Sequence, residues 1–164
     1  MVGPHGFSVL VIAGMLATLA SSLFAGAAIY ISLVEHPARL ACGTELAARQ
    51  FAPSYRRATV MQAMLAVTAT LAGATQWFTG YGGGDPLMDQ GRALWLLGAL
   101  IIGSVIPFTL VVIYPTNRKL LEPGRDSGSE ETRHLLEAWG RLHAVRGALS
   151  LAATLVFLYA LVGS

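Results

Sequence analysis

Four long apolar runs limit what this chain can become. They are "FSVLVIAGMLATLASSLFAGAAIYISLV" over 7–34, "TVMQAMLAVTATLAGATQWF" over 59–78, "ALWLLGALIIGSVIPFTLVVIY" over 93–114 and "GALSLAATLVFLYALVG" over 147–163. A hydrocarbon layer about 30 Å thick takes roughly 20 apolar residues at about 1.5 Å each, and every run comes close to that length. The fourth reaches it by drawing on the helix that carries Trp139 and His143, so its polar start belongs near the headgroups. Lipid offers no hydrogen bonds, and helices satisfy their own backbone groups. The expected fold is all-α: a four-transmembrane-helix bundle forming a single integral membrane domain over 1–164. Its spans are expected at about 7–34, 57–78, 93–114 and 135–162. Small residues in "AGAAIY" and "TATLAGAT" let helices approach closely. Pro107 is expected to bend the third span. No internal repeat is evident.

Composition removes most other classes. Charged residues make up 12% and hydrophobic residues 54%, with mean hydropathy +0.59. A soluble domain carries about 25% charged residues, so too little polar surface remains here to cover a core in water. The single cysteine, Cys42, permits no internal disulfide, and no Cys–His spacing suggests zinc or an iron–sulfur centre. A net charge of +2 makes no basic face for nucleic acid. The first run lacks a Lys/Arg-rich start and exceeds an ordinary signal core, so it is read as a retained span.

Basic residues orient the bundle. Arg39, Arg49, Arg56 and Arg57 follow the first run, and Arg118, Lys119, Arg125 and Arg133 follow the third. The connection between the second and third holds only Arg92, beside Asp85 and Asp89. Lys and Arg favour the cytoplasmic side. The first and third connections are therefore expected inside, with both termini outside, in what reads as a bacterial inner-membrane protein. Trp77, Phe78 and Tyr81 suit an aromatic belt at the outer face. Within the first connection, "CGTELAARQF" suggests a short interfacial helix with Thr44 as cap. Ser127 and Glu130 match a capping box for the last helix, with Ser129 as a rival cap.

The sharpest feature is "WGRLHAVR", Trp139 to Arg146, opening the fourth span. Trp139, His143 and Arg146 stand at i, i+4 and i+7, within about 60° of one another on one helical face. Ser150 continues that face. A buried arginine needs a carboxylate, a carbonyl or a bound anion. The topology brings partners to the same depth: Glu35 and His36 where the first span ends in "VEHPAR", and Tyr114 and Asn117 where the third ends in "YPTNRK".

Such a cluster suits acid–base chemistry on an apolar substrate. A histidine takes a proton from an acidic carbon or phenol, and an arginine stabilises the oxyanion, more strongly where water is sparse. Asn117 adds a hydrogen bond, and an aromatic substrate can lie against Trp139 and Tyr114. A stabilised carbanion can then react with dioxygen without a metal. Two metal alternatives stand beside this: a two-histidine, one-carboxylate site from His36, His143 and Glu35, and a haem on one histidine. No local metal spacing marks either.

The stretches "VEHPAR", "YPTNRKL" and "WGRLHAVRG", in that order and placement, carry a resemblance. From about Gly6 to Leu161 the chain resembles the anthrone-oxygenase-like integral membrane proteins. That resemblance implies a small four-helix membrane fold. It also implies an activity, since fungal relatives oxidise anthrones to anthraquinones with dioxygen and no added cofactor. Glu35, His36 and Pro37 match the first motif; Pro115, Asn117 and Leu120 the second; Trp139, His143 and Arg146 the third. The expected function is a membrane oxygenase of an enolisable, anthrone- or quinol-like aromatic. His143 is its base, and Arg146 and Asn117 hold the oxyanion. Glu35 orients His36 or pairs with Arg146, and Trp139 and Tyr114 bind substrate. No cofactor or metal is expected. The partners are a hydrophobic or aromatic small molecule, dioxygen and membrane lipid, with self-association left open and nucleic acid excluded. The alternative is a non-catalytic membrane protein that binds a lipid, quinone or small anionic ligand.

Overall fold

The computed structural model describes residues 4–79 and 90–163, with side chains from residues 9 and 91 onward in those two segments. Their regular elements are all helical. Helix α1 (Pro4–Tyr30) runs through a π-helical turn (Ile31–Glu35) into the short α2 (His36–Ala41). Helix α3 (Thr44–Thr79) returns. Helix α4 (Gln90–Phe108) runs through a second π-helical turn (Thr109–Ile113) into the short α5 (Tyr114–Leu120), and α6 (Glu130–Val162) closes the bundle. Four helical units, of 33, 36, 30 and 33 residues, are long and apolar enough to cross a membrane. At about 1.5 Å per residue each exceeds a hydrocarbon layer of about 30 Å, so their ends project beyond it.

The long helices form a ring in the order α1, α3, α4, α6, each packed against its two neighbours. Small residues face inward: Ala17, Ala28, Ala69 and Ala153 are wholly buried. Leu23, Met64, Leu71 and Leu155 face outward. Lipid solvates the outward chains as well as a core would, so close approach of small residues supplies the packing. Phe24, Trp95, Ile102 and Phe157 fill the remaining space, with Trp95 and Phe157 stacked at 5.6 Å. Gly98 makes room for that stack, because a Cβ there would stand 2.4 Å from the Phe157 ring. Ser21 and Thr154 hydrogen-bond at 2.9 Å across α1 and α6.

The two π-helical turns have a local cause. Pro37 and Pro115 are each the second residue of a short helix. Proline lacks an N–H, and its ring crowds the carbonyl four residues back. Those carbonyls, of Leu33 and Val111, lie within the wider turns, which the N–H groups of His36 and Tyr114 close onto the carbonyls of Ile31 and Thr109. The succession of helix, π-helical turn, proline and short helix thus occurs twice. A repeat of architecture exists where the sequence shows none, because only the proline and the apolar character recur.

Several local expectations change. The segment beginning at Thr44 is no separate interfacial helix: it is the first part of α3, which continues unbroken through Pro53. Pro107 lies inside α4, next to its last residue. Ser129, not Ser127, caps α6, its side chain accepting from the Thr132 N–H at 3.2 Å. Phe78 is exposed and packs on Trp77 at 4.4 Å. Arg92 donates to the Trp77 and Phe78 carbonyls, covering the end of α3. Tyr81, Asp85 and Asp89 lie outside the described residues.

Candidate functional site

Against α3, with residues added from the first π-helical turn, α2, α5 and the polar start of α6, a cavity of ≈ 330 Å³ opens. Glu35, Asn117, Trp139, His143 and Arg146 line it together. Counting from Val162, Arg146 lies about 24 Å and His143 about 28 Å along α6. Those lengths come close to the roughly 30 Å of a hydrocarbon layer.

Helix α6 supplies the wall. Trp139 and His143, four residues apart, stack with ring centroids 4.7 Å apart. Phe51 of α3 meets Trp139 edge-on at 5.3 Å. Ser32 Oγ lies 3.1 Å from His143 Nδ1. A hydroxyl donates or accepts, so the contact suits either tautomer; the one in which Nδ1–H donates to Ser32 leaves Nε2 to accept a proton. Arg146 donates from Nη2 to Gln62 Oε1 at 2.7 Å, and its guanidinium lies 5.2 Å from the centroid of the Phe24 ring. Its partner is thus a neutral carbonyl from α3, not Glu35.

Glu35 pairs instead with Arg39, four residues on, and Arg39 is buried and lines the cavity. Asn117 is 1% exposed, and its Oδ1 has no protein hydrogen-bond partner. Buried atoms without protein partners also include Arg39 Nε, Arg146 Nε and Gln62 Nε2. Four cavity residues on four elements therefore hold unused hydrogen-bonding capacity at one level.

Two expected members stand apart. His36 lies behind the wall, 5.2 Å from the Trp139 ring, with Nε2 3.0 Å from the Leu136 carbonyl. A carbonyl only accepts, so Nε2 carries the proton. Tyr114 is 49% exposed and is not among the lining residues. Ile113 and Asn117, four apart, occupy the inward stripe of that arm and are buried, while Tyr114 is turned about 100° from Ile113. The proposed grouping of His36, His143 and Glu35 around a metal does not form: among the described residues, no three of His, Cys, Asp and Glu could hold an ion together.

Sequence reasoning passed over Gln62, Arg39 and Ser32. Gln62 carried a readable signal, being an amide within the apolar "TVMQAMLAV", and polar residues inside spans tend to be functional. Arg39 was taken for a charge that only sets orientation. Nothing in the sequence around Ser32 distinguishes it.

The family profile described as anthrone oxygenase matches residues 51–156. That range holds Gln62, Asn117, Trp139, His143 and Arg146, while Ser32, Glu35 and Arg39 precede it. The chain is 30% identical over 146 residues to anthrone oxygenase tpcL of Aspergillus fumigatus, covering 85% of this chain and 87% of that protein. No solved structure matches significantly.

Proposed function

The chain belongs to the anthrone oxygenase family, and from that membership we propose that it oxidises an enolisable, anthrone- or quinol-like aromatic with dioxygen inside the membrane. The observation that carries this reading is the meeting of Glu35, Asn117, Trp139, His143 and Arg146 around one cavity. Membership alone leaves substrate and residue roles open; the cavity gives each residue a task.

His143 Nε2 takes a proton from the acidic CH₂ carbon, leaving an enolate. Arg146 and the Asn117 amide hold the enolate oxygen, where scarce water makes their charge and dipole count for more. The electron-rich carbon passes one electron to dioxygen, and the pair combine as a carbon-bound peroxide. Imidazolium returns its proton to the outer oxygen. Loss of the second C–H proton breaks the O–O bond, leaving a ketone and water. Substrate CH₂ and one O₂ thus become C=O and H₂O, and all four electrons come from the substrate. Trp139 and Phe51 provide an aromatic wall. Glu35 holds Arg39, and His36 steadies Trp139 from behind. Tyr114 has no part at the cavity.

The distribution of Lys and Arg supports a cytoplasmic position for the cavity, with both termini on the other side of what we read as a bacterial inner membrane. Purified protein should consume oxygen when given an anthrone. A His143→Ala variant should lose about 10²–10⁴-fold in rate, the usual contribution of a positioned base. Equal oxygen uptake by both proteins removes His143 as the base.

A further inference from the structure

The charges lining the cavity do not balance. Glu35 is the carboxylate among the lining residues, and three arginines, Arg39, Arg57 and Arg146, stand against it. Glu35 is already engaged by Arg39. Arg57 is exposed. Arg146 has Gln62 as its polar partner, and among the described residues no carboxylate lies within ion-pair distance of it. Tyr55 and His143 also face the space, and neither is a carboxylate.

The unpartnered atoms point the same way. A guanidinium only donates, so Gln62 must turn Oε1 toward Arg146, which fixes Nε2 as the free end of the amide. Among the lining residues, the buried donors without protein partners are then Arg39 Nε, Arg146 Nε and Gln62 Nε2, against one acceptor, Asn117 Oδ1. Gln62 is 2% exposed and Arg39 6%. A donor-rich, cationic lining calls for an oxyanion. At ≈ 330 Å³ the cavity lies near the lower end of small-molecule sites, about 300–1,000 Å³, and cannot enclose a two-chain lipid. Its walls, Trp139 and Phe51, are flat and aromatic.

We propose that the cavity takes its aromatic ligand as the ground-state anion of a ring hydroxyl, a compact phenolate whose CH₂ carbon is still intact for His143, and that Gln62 determines this specificity by holding Arg146 without cancelling its charge. The inference rests on the reading of this cavity as the substrate site and adds the charge state of what it binds. It also gives Gln62 a task that an acidic residue could not perform: a glutamate there would orient the arginine as well while consuming the field the ligand needs.

The test uses 4-nitrophenol, which is coloured as the phenolate and nearly colourless as the phenol, with detergent-solubilised full-length protein under anaerobic conditions. Binding is followed by quenching of tryptophan fluorescence, and ionisation by the visible absorbance of the bound probe. Below the probe's own pKa, the wild-type protein should deepen its colour. Gln62→Glu should abolish the deepening and bind the phenolate about tenfold or more weakly, the effect of a unit charge a few ångströms from the cation. Gln62→Met, which adds no charge but releases Arg146, should weaken the deepening far less than Gln62→Glu does, and phosphatidylglycerol added to the wild-type sample should leave it intact. Arg146→Met should lose the deepening and provides a second route if Gln62→Glu does not fold. A probe that stays colourless when bound overturns the proposal, as does equal phenolate affinity in Gln62→Glu. Displacement by phosphatidylglycerol but not by phosphatidylcholine assigns the site to a lipid headgroup and overturns it too. Because the readout needs no dioxygen, a protein that ionises the probe yet never consumes oxygen with an anthrone refutes the oxygenase reading alone.

Discussion

Replacing Gly140 by alanine tests how the wall of the cavity is held. A Cβ at Gly140 would stand 2.6 Å from His36 Nε2 and 2.7 Å from its Cδ2. His36 is 5% exposed and fixed on two sides, by the Leu136 carbonyl at 3.0 Å and by the Trp139 ring at 5.2 Å. It cannot swing away without giving up that hydrogen bond. Crowding a packed interior by one methyl costs about 1–3 kcal/mol. Losing a buried hydrogen bond adds about 1 kcal/mol, and the better helix propensity of alanine returns nearly the same amount. The net expectation is a destabilisation of about 1–3 kcal/mol. Thermal unfolding in detergent should show a lower midpoint for Gly140→Ala than for wild type. His36→Ala removes the ring that the new methyl strikes, so the two substitutions should be non-additive by about 1 kcal/mol or more in a double-mutant cycle. A Gly140→Ala protein as stable as wild type would refute the argument. Strict additivity with His36→Ala would do so equally, by showing that the methyl and the ring never compete.

Two further outcomes follow from the local geometry. Ser129→Ala should lower stability by about 1 kcal/mol, the usual loss of an N-cap, whereas Ser127→Ala should leave the unfolding midpoint unchanged; the opposite order would reassign the cap. Tyr114→Ala should retain wild-type oxygen uptake with an anthrone, since that ring lies outside the cavity; a drop comparable to that of His143→Ala would mean that the aromatic belongs to the site.

The sequence made the fold legible because the membrane reduces folding to few variables. Apolar length and backbone satisfaction forced four helices before any packing was considered. Much of the site was legible for a related reason. Trp139, His143 and Arg146 share a face by helical arithmetic, and chain topology set Glu35 and Asn117 at their depth. Depth is not azimuth, however, and Tyr114 lies at that depth without lining the cavity. The π-helical turn at Thr109–Ile113 inserts an extra residue per turn just before Tyr114, so the phase of α4 does not carry into α5. The choice of partners failed for a comparable reason. Glu35 has Arg39 one turn away on its own arm, and a partner already on the same helical face needs no tertiary placement to be met. Arg146 was left to find Gln62, whose amide is visible in the apolar second span but whose partner on another helix is not.

The doubled arms explain why polar groups reach an otherwise apolar cavity from several elements at once. Arg39 and Asn117 each lie two residues beyond the proline of a short helix, Pro37 and Pro115, so the two arms deliver side chains from equivalent positions. Both residues are buried, and both line the cavity. The returning helices complete the level, Gln62 from α3 and Arg146 from α6. A structural polar layer would close on itself, as Ser21 and Thr154 do deeper in the bundle. This one does not: each of its four members keeps a buried atom that no protein group satisfies. Such atoms cost about 1–3 kcal/mol apiece when left unpaired. A bundle that needed only to hold together would do better with leucine at these positions. The arrangement makes physical sense when the missing partner comes from outside the chain, and the surplus of donors over acceptors gives that partner its sign.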